Sequence, residues 1–144
     1  MFKLAGSIFI LCSATFFSCQ SVLKKYCTYK YLIGIVDIIK KIQCELAVND
    51  TYISIFRRIN FDKDTWLSKS KDNIYINYEE IKKTEDFFDE LGKHNSETEQ
   101  QYIDYNLKKF SETAKIYSDE YNRIKKIHIV CGVCFGLFII IVLI

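Results

Sequence analysis

The clearest helical pattern in this chain lies in residues 101–124, QYIDYNLKKFSETAKIYSDEYNRI. Its apolar residues recur at alternating steps of four and three, a spacing that places them on one face of a helix. We call this face the C-terminal seam, and its members are Ile103, Leu107, Phe110, Ala114, Tyr117, Tyr121 and Ile124. The pattern predicts one long helix that starts near Glu97 and continues into the apolar end of the sequence.

A second apolar face, the N-terminal seam, lies near the other end of the chain. Its members are Leu32, Ile35, Ile39, Ile42 and Leu46, again at steps of three and four. Two long helices can bury such faces against each other when they lie side by side. The two seams therefore predict an antiparallel helix pair.

The residues between the seams predict two short helices and a loop. Residues 51–59 and 79–91 have helical patterns, whereas residues 61–73 are rich in Asp, Lys and Ser and are expected to form a loop anchored by Trp66. Residues 74–78 alternate like a strand, but a lone strand would have no partner. Ser96 and Glu99 have the spacing of a capping box. The predicted fold class is all-α.

Two segments of the sequence lack charge almost completely. Residues 4–23 contain no charged side chain, and residues 127–144 contain only His128. As helices they would reach roughly 30 Å and 27 Å, about the thickness of a bilayer core. We therefore predict transmembrane helices at 4–23 and 127–144, with a polar helical domain at 24–126 between them.

The positive charges next to both segments predict the topology. Lys24, Lys25 and Lys30 follow the first segment, and Arg123, Lys125 and Lys126 precede the second. Because basic residues near spans stay in the cytoplasm, the domain is predicted to be cytoplasmic, in a multi-pass protein of the cell membrane. The alternative is a cleaved signal peptide, for which Lys3 precedes an apolar core. The chain would then be an exported, tail-anchored surface or adhesion protein.

The sequence offers no pattern for catalysis, a cofactor or nucleic acid. The net charge of +2 lacks the basic excess that phosphate backbones require, and the five glycines form no phosphate-binding loop. Cys131 and Cys134 have C-x-x-C spacing, but the two histidines elsewhere do not complete a zinc site. We therefore expect no enzyme activity, no cofactor and no metal.

One spacing inside the second apolar segment indicates helix packing. Gly132 and Gly136 form G-x-x-x-G, which lets two membrane helices approach closely. Two of the five glycines lie there, so we predict that both pack against a neighbouring transmembrane helix, in this chain or in a second copy.

Three parts of the chain resemble the stage III sporulation protein AB family of endospore-forming bacteria. Residues 3–7 are similar to a K-L-x-G opening of the first span. Residues 91–97, LGKHNSE, are similar to an L-G-K/R-S-D-x-E block, although His94 and Asn95 replace its Ser and Asp. Residues 132–144 resemble a closing L-G-x-x-x-G-L-x-x-x-I-L-I. The likeness extends over nearly the whole chain except for residues 62–78.

The resemblance implies a function that composition does not. Family members resemble the helical cytoplasmic domain of the platform protein of type II secretion and type IV pilus machines. They belong to a complex that builds a channel between mother cell and forespore. The implied partners are the secretion-type ATPase stage III sporulation protein AA and other membrane proteins of that complex, on the mother-cell side. A homo-oligomer and contact with membrane lipid are also expected.

Overall fold

The chain forms five helices in this computed structural model, which describes the backbone of residues 2–46 and 51–143 and the side chains of residues 19–46, 51–95, 97–132 and 134. The helices are α1 (Phe2–Leu46), α2 (Tyr52–Arg58), α3 (Lys63–Lys71), α4 (Tyr78–Glu90) and α5 (Ser96–Leu143). Over the described backbone there is no strand, so the prediction of an all-α fold is confirmed.

The two long helices lie antiparallel and keep one register. The rings of Tyr26 and Tyr121 lie 5.2 Å apart, and the side-chain amide of Gln43 donates a 2.5 Å hydrogen bond to Asp104. These two pairs are separated by 17 residues on α1 and by 17 on α5. The pairing therefore stays in step over roughly 26 Å, at 1.5 Å per helical residue.

Both predicted seams face the interior, but to different depths. Leu32, Ile35, Ile39 and Ile42 of the N-terminal seam are fully buried. In the C-terminal seam, Ile103, Phe110 and Ala114 are at most 2% exposed, whereas the other four members, Leu107, Tyr117, Tyr121 and Ile124, are half-buried. The most deeply buried part of the helix pair thus lies at the end near the three short helices.

Helix α3 corrects the prediction of a loop at residues 61–73. The Asp62 carboxylate accepts hydrogen bonds from the backbone N–H groups of Asp64 and Thr65, which caps the first turn. Leu67 is buried, and Trp66 stacks on Tyr31 of α1 at 4.7 Å, so the expected anchor is confirmed. The loop was predicted because a nine-residue helix that buries so few apolar side chains has no clear apolar periodicity in its sequence.

The other short helices follow their predicted positions. Helix α2 begins after Thr51, and residues 47–50 before it lie outside the described residues. Helix α4 begins after Asn77, whose side chain accepts from the N–H of Glu79. Residues 74–76 form part of the turn before α4 and not a strand.

Among the residues that the structure describes, no helix combines the length and apolar character needed to cross a membrane. Most of the two predicted spans, residues 4–18 and 135–144, lies outside the residues whose side chains are described.

Candidate functional site

Aromatic and charged side chains join α1 and α5 at one end of the bundle. Tyr26 packs on Tyr121, and Lys25 forms an ion pair with Glu120. The Lys25 ammonium also lies 5.2 Å from the ring centre of Tyr117, within the range of a cation–π contact. These contacts bring residues 25–26 of one helix to the same level as residues 120–121 of the other.

A set of exposed cations lies just beyond this level on both helices. Lys24 lies two residues from Tyr26 on α1, and Arg123 lies two residues from Tyr121 on α5, so the shared register places them at one height. Both are exposed, as are the lysines that follow on α5. We call this set the basic collar, and its members are Lys24, Arg123, Lys125 and Lys126.

Exposed apolar side chains begin immediately next to the basic collar. On α1, Leu23 is 46% exposed, and on α5 the exposed fractions are 53% for Ile127, 58% for Ile129 and 61% for Val130. The surface of the helix pair therefore changes from charged to apolar within about one helical turn. We call these four residues the apolar band.

A buried carboxylate organises the opposite end of the bundle, where α4 turns into α5. Glu99 is 4% exposed and accepts hydrogen bonds from the backbone N–H of Gly92 (2.8 Å) and of His94 (3.3 Å). It also accepts a 2.5 Å hydrogen bond from the hydroxyl of Tyr52. Burial and this bond to a carboxylate raise the pKa of Tyr52 above its ordinary value. One side chain thus connects α2, the turn and α5.

The conformation of Gly92 explains the Leu-Gly pair in the sequence. Its φ of +83° lies in the left-handed region, which favours glycine. A Cβ at this position would lie 3.1 Å from Cδ2 of the Tyr52 ring, closer than ordinary contact. The turn therefore needs glycine for its backbone and for the approach of Tyr52.

Asn77 connects three helices at the start of α4. Its backbone N–H donates to the hydroxyl of Thr28 on α1 (3.0 Å), and its side-chain amide donates to the hydroxyl of Tyr117 on α5 (2.8 Å). Thr28 is fully buried. Asn77 was not predicted from the sequence, although an Asn directly before a helical pattern is a recognised capping signal.

Among the described residues, two buried polar atoms in the core between α1 and α4 lack a well-formed hydrogen bond. They are the hydroxyl of Tyr31 and one carboxylate oxygen of Glu80, whose other oxygen accepts from Lys83 at 2.7 Å. Burial raises the pKa of Tyr31 to about 12, while the nearby Thr84 hydroxyl opposes this rise and the negative charge of Glu80 adds to it. Such atoms destabilise the fold unless a water molecule satisfies them.

Of the predicted glycine pair, Gly132 lies among the residues whose side chains are described. A Cβ built on Gly132 would meet no atom within 4 Å, and Gly136 lies outside the residues whose side chains are described. The packing role of both glycines stays a prediction. Cys131 and Cys134 are exposed free thiols, and in the described part of the chain no cluster of three metal-binding side chains exists.

The family model of stage III sporulation protein AB matches residues 63–144, from the first residue of α3 to the end of the chain. The chain belongs to this family. The family assignment predicted from the sequence is therefore confirmed, and with it a role in sporulation. The match includes Gly92, Glu99 and most of the basic collar, but it does not extend to α1, where a likeness was also expected. Comparisons with curated proteins and with solved structures found no match.

The family match gives no support to the alternative of an exported surface or adhesion protein. The likeness to the type II secretion platform stays a prediction.

Proposed function

We propose that this chain is a non-enzymatic platform component of the channel complex between mother cell and forespore. In this role it would be held in the mother-cell membrane by residues 4–23 and 127–144, with residues 24–126 in the cytoplasm. The observation that carries the proposal is the shared level of Tyr26 and Tyr121, together with membership of a sporulation family.

That shared level supports a hairpin topology. Because α1 and α5 are antiparallel and in register, both charge-free segments begin at the same end of the bundle. The basic collar lies at this end on both helices, and the apolar band follows it directly. Cations that flank two neighbouring spans on one side keep that side in the cytoplasm.

The continuity of the long helices supports a mechanical role. Helix α5 runs without a break from Ser96 to Leu143, and α1 runs from Phe2 to Leu46. Hydrogen bonds of Glu99 and Asn77 tie the short helices to this pair. A force applied to the helical domain would therefore pass along two rigid rods toward the collar end. We propose that a secretion-type ATPase, stage III sporulation protein AA, supplies that force.

A reporter enzyme that is active only outside the cytoplasm tests the topology. It would be inserted at Ile74, which lies in the turn between α3 and α4 and is 80% exposed, and separately fused after Ile144. The hairpin predicts silence at Ile74 and activity after Ile144. A signal peptide followed by a tail anchor predicts the reverse, so activity at Ile74 would overturn the proposal.

A gene deletion and a co-purification test the role in sporulation. Deletion should stop development of the forespore after engulfment, and normal spore yield would contradict the assignment. The tagged full chain should co-purify with stage III sporulation protein AA from detergent-solubilised membranes of sporulating cells. If deletion prevents spore formation but the chain does not co-purify with the ATPase, the sporulation role stands and the ATPase is not its partner.

A further inference from the structure

The acidic residues near the basic collar do not neutralise its positive charge. Glu120 already pairs with Lys25, which is not a collar member. The remaining acid on this part of α5 is Asp119, against Arg123, Lys125 and Lys126. These four residues line an open groove of about 600 Å³, which Asn122 and Ile129 complete. The groove thus has three cations and one carboxylate.

We propose that the basic collar binds the headgroups of anionic phospholipids. This inference rests on the proposed membrane anchoring and adds the class of lipid that the anchored protein selects. The groove is open to solvent and is lined by residues of α5, so a phosphate-bearing headgroup would bind there through the cationic side chains. The collar cations supply positive charge, which attracts the negatively charged headgroup.

The apolar band decides between a lipid and a soluble anion. Ile129 lines the groove and is 58% exposed, and Ile127 and Val130 beside it are exposed to a similar degree. A free phosphate would leave these side chains in water, whereas the acyl chains of a lipid would cover them. A site that combines three cations with neighbouring exposed Ile and Val side chains therefore fits an amphiphile.

The tyrosines next to the basic collar fit an interfacial position. The rings of Tyr26 and Tyr121 are in tilted contact across the two helices, and the ammonium of Lys125 lies 5.9 Å from the ring centre of Tyr121. Tyrosines are enriched where a membrane meets water, because the ring is apolar and the hydroxyl is polar. Along α5, an aromatic ring, the collar cations and the apolar side chains thus follow one another toward the charge-free end of the helix.

The experiment reconstitutes the full chain into lipid nanodiscs that contain equal amounts of phosphatidylglycerol and phosphatidylcholine. Native mass spectrometry of the released protein then counts the retained molecules of each lipid. We expect phosphatidylglycerol to exceed phosphatidylcholine on the unmodified chain. In the double variant Lys125→Gln/Lys126→Gln this excess should fall more than tenfold, since each cation near the surface contributes roughly a factor of five.

The matched control is Lys108→Gln/Lys109→Gln. This pair is also adjacent, exposed and on α5, and it lies 17 residues from the collar lysines, roughly 25 Å along the helix. The control should keep the lipid preference of the unmodified chain. An equal loss in both double variants would show a general charge effect and overturn the headgroup site.

Two other outcomes separate this inference from the proposed function. If the chain enters nanodiscs but retains both lipids equally, the headgroup site is wrong and the membrane anchoring stands. If the chain does not enter the nanodiscs, the anchoring fails and the headgroup site fails with it.

Discussion

The hydroxyl of Tyr52 on α2 donates a 2.5 Å hydrogen bond to the carboxylate of Glu99 on α5, across 47 residues of sequence. The same carboxylate accepts from the N–H of Gly92, whose missing side chain leaves room for the Tyr52 ring. This contact holds the far end of the bundle together. It lies at the opposite end from the basic collar, so it can be altered without changing the surface proposed to meet lipid.

Replacing Glu99 should destabilise the domain because the N–H groups of Gly92 and His94 and the hydroxyl of Tyr52 lose a charged acceptor. Glu99→Ala should lower the free energy of unfolding by about 1.5–3 kcal/mol, the range for hydrogen bonds to a charged group. Urea titration of the full chain in detergent micelles, followed by the fluorescence of the single tryptophan, Trp66, measures this change. The control Glu97→Ala removes an exposed acid from the same helical turn and should cost under about 1 kcal/mol. If the two variants lost the same free energy of unfolding, the hydrogen bonds of Glu99 would contribute nothing to stability.

The same substitution at two glycines should have opposite effects. Gly92→Ala places a side chain at a φ of +83° and against Tyr52, so we expect a loss of about 1–2 kcal/mol. Gly34→Ala lies inside α1, where a Cβ would meet no atom within 4 Å, and should raise stability by about 0.5–1 kcal/mol. Thermal unfolding by circular dichroism gives both values. A stabilising Gly92→Ala would contradict the described turn.

The centre of the C-terminal seam should depend on Phe110. This side chain is 2% exposed and packs edge-on against Phe87 of α4, with ring centres 5.9 Å apart. Phe110→Ala should cost about 3–5 kcal/mol, the usual range for a buried Phe. Lys108→Ala, at an exposed position on the same helix, should cost under about 0.5 kcal/mol. An unchanged unfolding midpoint in Phe110→Ala would show that the seam faces solvent or a partner.

Alkaline pH should destabilise the domain through Tyr31. Its pKa rises from 10.0 to about 12 on folding, chiefly because the ring is buried. Between these values the unfolded chain releases the proton and the folded chain retains it, so stability falls as the pH rises from about 10 to 12. Urea midpoints at several pH values measure the slope. Tyr31→Phe should make the slope shallower without abolishing it, because the pKa of Tyr52 is also raised. Tyr105→Phe, at a side chain that is 65% exposed, should leave the slope unchanged.

Tyr31→Phe should cost under about 1 kcal/mol at neutral pH, because the hydroxyl that it removes makes no well-formed hydrogen bond with the described residues, although the Thr84 hydroxyl lies near it. A loss above about 1 kcal/mol at pH 7 would show that a bound water satisfies this hydroxyl.

Periodicity made the long helices predictable. The steps of three and four from Ile103 to Ile124 depend only on the geometry of a single helix, and they predicted α5. Gly92 and the capping-box spacing of Ser96 and Glu99 placed the start of α5 to within one residue. The family block around Gly92 could also be recognised in the sequence, but the structural reason for glycine at this position could not. The ring of Tyr52 that requires glycine there comes from a helix 40 residues earlier.

The sequence by itself determined the two apolar seams, the charge-free ends and the cations beside them, because these follow from the order of residues along each helix. The tertiary structure alone decided the register of α1 against α5, the helix at Lys63–Lys71 and the partners of Glu99 and Asn77. The physical reason is that a hydrogen bond or an aromatic stack depends on which distant side chains meet. These contacts depend on the packing of whole helices, so they produce no periodic pattern in the local sequence.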